Sequence, residues 1–381
     1  MSNPTLFDFN AEDGPPDGNQ WTQVLRVIEQ LTYQRDKLAR ANRKYEAGQG
    51  NDLNPLQELQ AVRDAISKAI PDLGVSADTS PPDMLVRDLI TTYWGQVKQR
   101  QNTAKTGFAT LNDMLSGGIE SKRLVCLLGA PNTGKTTFVH QIADHIACSG
   151  RPVLYVTTED TPPALFAKTL ARIGSMSYTA VLKGYESERT AINAALTAQM
   201  GRLSTDRLRY LDAANGVTLD IIREKAEAHF ASYRAQNGGG PGVLVVDYLQ
   251  RIARAIKTMS RLNADLREVV SLVTERLRTL ACELDCGVLA VASQNRVGYT
   301  RSESTGSMAS AKGSGDIEYT CDVLMALSED RSPERTLPSG MMPIQLHIDK
   351  NRQGERGKSI KLDFWTDRQQ FTEAMIAGTF K

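Results

Sequence analysis

Eight consecutive residues, Gly129-Ala130-Pro131-Asn132-Thr133-Gly134-Lys135-Thr136, carry the clearest chemistry in the chain. They match G-x-x-x-x-G-K-[ST], follow the apolar run LVCLL and precede the helical pattern FVHQIADHIA, which is the strand, loop and helix context the motif requires. Its glycines let backbone N–H groups wrap phosphate oxygens at a helix N-terminus. Lys135 would neutralise the β- and γ-phosphates, the Thr136 hydroxyl would ligate Mg²⁺, and Thr137 extends the nucleotide-binding run. ATP and Mg²⁺ are therefore the expected cofactors.

Such a loop needs a second metal-holding carboxylate at a neighbouring strand end, and Val243-Leu244-Val245-Val246-Asp247 supplies it in Asp247. Hydrolysis also needs a group beside the γ-phosphate to orient or deprotonate water. Val153-Leu154-Tyr155-Val156-Thr157-Thr158 ends in Glu159-Asp160; spacing alone leaves both acids open, and one of them could cap a helix starting at Thr161-Pro162. The apolar run Val288 to Ala292 leads through Ser293 to Gln294, an amide suited to sensing a γ-phosphate. After IQLHID, Lys350 and Arg352 stand two residues apart on the same side of an extended segment. With Lys135 already serving the loop, these two cations make sense if they reach the phosphates of a neighbouring subunit; a solvated basic turn is the plain alternative.

These groups need a scaffold, and the chain beyond Gly107 supplies one. Short β-rich runs at 124–128, 153–157, 243–246, 288–292, 323–327 and 344–348 alternate with helical segments. That texture predicts an α/β fold with a mainly parallel sheet, helices on its faces and ligands at the carboxyl ends of the strands. The first hundred residues read differently. Residues 1–20 hold Asp8, Glu12, Asp13 and Asp17 with no base, an acidic tail. Amphipathic patterns over 21–45, 56–70 and 83–98 predict a small helical region with no evident chemistry, joined by the 72–82 linker.

Composition narrows the classes. A chain of 381 residues with 41% hydrophobic content has room for about two domains, and no apolar run reaches the roughly 18–20 residues of a membrane span. With no secretory signal in the first residues, a cytoplasmic location and no membrane partner are expected. Lys plus Arg total 45 against 44 Asp plus Glu, so net charge says nothing about nucleic acid. The five cysteines form no CxxC pair and read as core thiols, which argues against zinc; the four histidines are scattered.

The order of these elements resembles the ATPase domain of DnaB-type hexameric replicative helicases, a RecA-like fold. The resemblance covers about 106–365 and includes Thr106-Gly107-Phe108, Ser116-Gly117-Gly118, Asp247-Tyr248-Leu249-Gln250, Ser293-Gln294, Ser314-Gly315-Asp316-Ile317-Glu318 and Lys350-x-Arg352-x-Gly354. It implies that Glu159 is the catalytic glutamate and that Lys350 and Arg352 act in trans on the adjacent protomer's ATP. It implies a homohexameric ring with ATP sites between protomers, moving single-stranded DNA. Two segments fall where pore loops would lie. Residues 251–268 hold Arg251, Arg254, Lys257, Arg261 and Arg267; residues 295–313 hold Arg296, Arg301 and Lys312, with Gly313 and Gly315 following. Lys312-Gly313 replaces an Arg-Glu pair common in the family. The division is then an acidic tail over 1–20, a helical region and linker over 21–99, and a RecA-like ATPase over 100–381. The first hundred residues share no motif with the family's N-terminal domain, so a primase or loader contact there is not implied by the resemblance and is an expectation only; by position alone, the 83–98 helix stands where a linker helix would dock on the next protomer. A RadA/RecA-like recombination ATPase and an ATP-switched scaffold or loader that does not translocate are the competing readings.

Overall fold

The structure is a computed structural model. It describes residues 86, 93, 103–184, 186–199, 206–237, 240–259, 265–293, 315–332 and 337–374. The chain divides into two units, Met1–Ile90 and Thr91–Lys381, and all the strands and helices named below belong to the second. Val86 and Tyr93, both within the span expected as a third N-terminal helix, are helical and exposed; the other N-terminal expectations lie outside the described residues, as do Arg261, Gln294, Arg296, Arg301, Lys312 and Gly313.

After a short helix α1 (Ala109–Met114), β1 (Arg123–Gly129) leads into α2 (Lys135–Cys148) and β2 (Val153–Thr157). Three helices come next, α3 (Pro162–Gly174), α4 (Tyr178–Lys183) and α5 (Glu186–Gln199), before β3 (Leu208–Asp212), α6 (Leu219–Asn237) and β4 (Val243–Asp247). Then come α7 (Leu249–Met259), α8 (Leu266–Glu283), β5 (Gly287–Ser293), α9 (Gly315–Thr320), β6 (Val323–Glu329), β7 (Met341–Asn351), β8 (Ser359–Trp365) and β9 (Gln370–Glu373). The sheet order is β3-β2-β4-β5-β1-β6-β7-β8-β9. The first six strands run parallel, and β7 to β9 continue antiparallel.

Burial follows the sequence texture. Every residue of β2 and β4 is buried, as a parallel strand covered on both faces demands. Alternate residues serve opposite layers: Val125, Leu127, Val243 and Val245 pack with α2, whereas Leu124, Cys126, Leu244 and Val246 pack with α6, α7 and α8. In β8 burial alternates strictly, fully buried residues on one face and partly exposed ones on the other.

Three strands lack the apolar runs by which the others are legible. β3, LRYLD, pairs among the described residues with β2 alone and is half-exposed, while β8 and β9 interleave polar residues with apolar ones. The segment expected as a basic loop over 251–268 needs a larger correction. Residues 251–259 are helical in α7, whose Leu249, Ile252 and Ala253 are buried. Asp265 and Glu268 form the capping box that starts α8, so these two acids serve a helix end.

Candidate active site

The loop between β1 and α2 has room only for its glycines at two points. Gly134, at φ +80°, is the N-cap of α2, and a Cβ there would stand 2.8 Å from the Phe371 ring and 3.0 Å from that of Phe364. A Cβ on Gly129 would meet the Leu327 carbonyl oxygen at 2.6 Å. Thr133 Oγ1 donates to the Ala130 carbonyl at 2.9 Å and Lys135 Nζ to the same oxygen at 2.5 Å, closing the loop on itself. Burial pushes the Lys135 ammonium pKa down, against the fields of Asp247 and Glu159. The Thr137 hydroxyl, in the first turn of α2, donates to Gln369 Oε1 at 2.7 Å.

The carboxylates gather at the same end of the sheet, and β2 and β4 hold them in register, with Thr157 opposite Asp247. Asp247 is 4% exposed, and its Oδ2 accepts a hydrogen bond from the Tyr155 hydroxyl at 2.8 Å. Burial raises its pKa, while hydrogen bonds from Tyr155 and Thr136 oppose that rise. Thr158 ties the two strand ends together: its N–H and hydroxyl both donate to the Asp247 carbonyl, and its hydroxyl accepts from Tyr248 N.

The two adjacent acids part company here. Asp160 accepts from Lys168 Nζ at 2.6 Å, an ion pair with α3. Neither acid caps that helix; Thr161 does, its hydroxyl accepting from Ala164 N. Glu159 is half-exposed beside the loop, where Tyr248 Oη and Arg251 Nη2 each donate to its Oε1 at 3.2 Å. Arg251, counted in the sequence among bases facing a strand, thus has Glu159 as its partner. Sequence reasoning gave Gln250 no separate role, yet its amide donates to the Ser293 carbonyl and accepts from Ser293 N–H, both at 3.1 Å. That clamp fixes the strand end next to Gln294.

Thr136 and Asp247 suit Mg²⁺, a hard cation usually held by one or two protein oxygens together with substrate phosphates and water. Among the described residues no group of three or more His, Cys, Asp or Glu is placed to hold a metal ion.

Lys350 and Arg352 are elsewhere. Lys350 pairs with Leu324 and is level with Cys126 of β1, and Arg352 N donates to Asp322 O, level with Leu124. Lys350 is thus level with the middle of β1 and Arg352 with its amino-terminal part, three and five strand residues back from Gly129, roughly 10 and 16 Å along the strand. Lys350 Nζ donates to the carbonyls of Glu318 and Tyr319, and Arg352 Nη2 donates to Tyr319 O at 2.9 Å. Asp322, buried and bonded to Arg278 and to Leu124 N–H, stands 3.8 Å from Arg352 Nη1. Of the bases expected to face a strand, Arg254 is exposed and Lys257 half-buried on α7, and Gly315 opens α9.

A family model for the DnaB-like helicase C terminal domain matches residues 103–373. The chain belongs to that family. The DnaB-like match takes in the phosphate-binding loop, Glu159, Asp247, Lys350 and Arg352 alike. The replicative DNA helicase DnaB of Pasteurella multocida (strain Pm70) is 26% identical over 269 residues, covering 70% of this chain and 54% of that protein, so the chain spans about half the length of this relative. The replicative DNA helicase DnaC of Bacillus subtilis (strain 168) is 25% identical over 321 residues, 82% of this chain and 67% of that protein. Two solved structures share the fold. One, an isolated ATPase domain, superposes with a TM-score of 0.64 at 19% identity, covering 77% of this chain and 100% of that one. The other, a DnaB-like replicative helicase described with its interactions with primase, gives 0.62 at 18% identity, covering 93% and 77%. The RecA-like class expected from the sequence is borne out. Among the described residues no helix is long and apolar enough to cross a membrane.

Proposed function

We propose that this chain is an ATP-driven helicase or single-strand DNA translocase of the DnaB type, working as a homohexameric ring in DNA replication. The observation that carries this reading is the separation of the two halves of its chemistry. Loop, Asp247 and Glu159 stand at the carboxyl ends of the strands, while Lys350, level with the middle of β1, and Arg352, level with Leu124, are held on carbonyls of α9. Within one protomer this pair does not reach its own loop, being held on α9 roughly 10 and 16 Å back along the strands from the end of β1. A neighbour's pair can, and a closed ring of such contacts gives every loop its pair.

In this reading backbone N–H groups of 129–137 and Lys135 hold the ATP phosphates, and Glu159 accepts the proton of the attacking water. Thr136 and Asp247 would hold Mg²⁺, which would supply charge neutralisation to the phosphates. Lys350 and Arg352 of one protomer stabilise charge on the phosphates bound to the next, an arrangement worth ~10³–10⁵ in rate in comparable enzymes. Arg254 and Lys257, with Arg261, Arg296, Arg301 and Lys312, follow a DNA backbone without reading sequence. A primase or loader docks through the N-terminal region.

The test is ATPase rate with and without single-stranded DNA, combined with mass by light scattering in a non-hydrolysable ATP analogue. A particle of about six protomers whose ATPase rises with DNA is the expected outcome. An assembly whose ATPase ignores DNA would replace translocation with a nucleotide-switched scaffold.

A further inference from the structure

Tyr155 is the one wholly buried phenol in contact with the carboxylate assigned to the metal, among the described residues. It stands opposite Val245 in the β2–β4 pair, two residues short of Asp247 and on the same face of the sheet. A diagonal neighbour at that spacing is within reach only of a long side chain. The Tyr155 hydroxyl spans the gap and donates to Asp247 Oδ2 at 2.8 Å.

The ring that carries this hydroxyl cannot turn away. His140 of α2 meets it edge-on at 5.6 Å between centroids, and Tyr210 of β3 lies 5.9 Å off on a tilted plane. Tyr210 and His140 are themselves joined, hydroxyl to Nε2, at 2.9 Å. Three side chains from three elements thus fix the direction from which Asp247 receives its hydrogen bond. A carboxylate with one oxygen so engaged loses its free rotation about χ2, and its other side-chain partner is the Thr136 hydroxyl.

We propose that Tyr155 is a positioning residue, whose phenol orients the Asp247 carboxylate toward Mg²⁺ shared with Thr136. The proposal rests on the reading of Asp247 as the metal-holding acid. Partners of this kind, one step removed from the ion, commonly change metal affinity 10- to 100-fold. A merely structural tyrosine would leave the metal requirement alone.

Tyr155→Phe removes one oxygen and keeps the ring. Tyr210→Phe is its control, because it removes a hydroxyl from the same aromatic group that does not touch Asp247. Binding of a fluorescent, non-hydrolysable ATP analogue is titrated with Mg²⁺ on the full chain, and also measured in EDTA, with circular dichroism checking that each variant folds. Tyr155→Phe is expected to raise the Mg²⁺ midpoint about 10-fold or more while binding in EDTA is unchanged, and Tyr210→Phe to leave both where they are. A Tyr155→Phe midpoint equal to the wild type, or equal shifts in both variants, overturns the positioning role. Wild-type binding that ignores Mg²⁺ would instead overturn the assignment of Asp247, and the proposal with it. Should Tyr155→Phe fail to fold, Tyr155→His, which keeps a buried ring donor, must retain Mg²⁺ dependence closer to the wild type than Asp247→Asn does; equal loss overturns the role.

Discussion

Glu159 and Asp160 are adjacent in sequence and reach different helices, α7 and α3, through their cationic partners. Lys168 takes Asp160, while Glu159 keeps an exposed carboxylate that Tyr248 and Arg251 hold by one oxygen. Glu159→Gln is expected to bind nucleotide as the wild type does and to lose at least ~100-fold in turnover, read by equilibrium binding beside phosphate release. Normal turnover would remove Glu159 from the mechanism. His140 makes a different prediction. Burial drives its pKa from 6.5 to about 4, with Asp144 and Asp160 opposing, and Arg172 and Lys168 reinforcing, the shift. The unfolded chain therefore takes up a proton that the folded chain refuses. Stability falls as pH drops through 6.5 and the loss stops growing below about 4. Between pH 7 and 5 this amounts to about 2 kcal/mol, so His140→Gln should show a pH slope shallower by that much in urea titrations. Equal slopes would assign the acid sensitivity to other groups.

At the scale of elements, the β8–β9 hairpin determines how the phosphate-binding loop is backed. Phe371 is buried, stacks on Phe364 at 4.3 Å and meets Phe138 of α2 edge-on at 5.2 Å. Its backbone exchanges two hydrogen bonds of 2.8 Å with the Gln141 amide, and Gln369 takes the Thr137 hydroxyl. The first turn of α2 is thus held from a hairpin more than two hundred residues away. Phe371→Ala should lower stability by roughly 3–5 kcal/mol and, unlike an ordinary core truncation, weaken nucleotide binding in the fraction that remains folded. Isothermal titration below the melting transition separates the two effects, and wild-type affinity there would show that the hairpin serves packing alone.

For the whole molecule the separation of Lys350 and Arg352 from the loop makes a stoichiometric prediction. Arg352→Ala and Glu159→Gln are each expected to be nearly inactive. Mixed, they form interfaces in which one protomer supplies the carboxylate and its neighbour the cation, so ATPase should return in part and peak at intermediate ratios. Absence of rescue at every ratio would argue for sites completed within one protomer. The same positions bear on strand movement: both cations hang on carbonyls of α9, which comes directly after the segment expected to face DNA.

Much of this was legible in the chain because its determinants are local. The loop 129–136 must be contiguous to wrap a phosphate, and strands buried on both faces must be apolar throughout, so motif and fold class are written in short stretches of sequence. The choice of Glu159 over Asp160 came from family resemblance, since two neighbouring acids look alike until Lys168 arrives from a helix. The phenol of Tyr155 gave a faint signal, a polar tip in VLYVT that had to find a partner somewhere. Its partner, the clamp of Gln250 on Ser293, and the placement of Lys350 and Arg352 on α9 away from the loop depend on strand order and register. Those are set by packing between distant segments, so only the tertiary structure decided them.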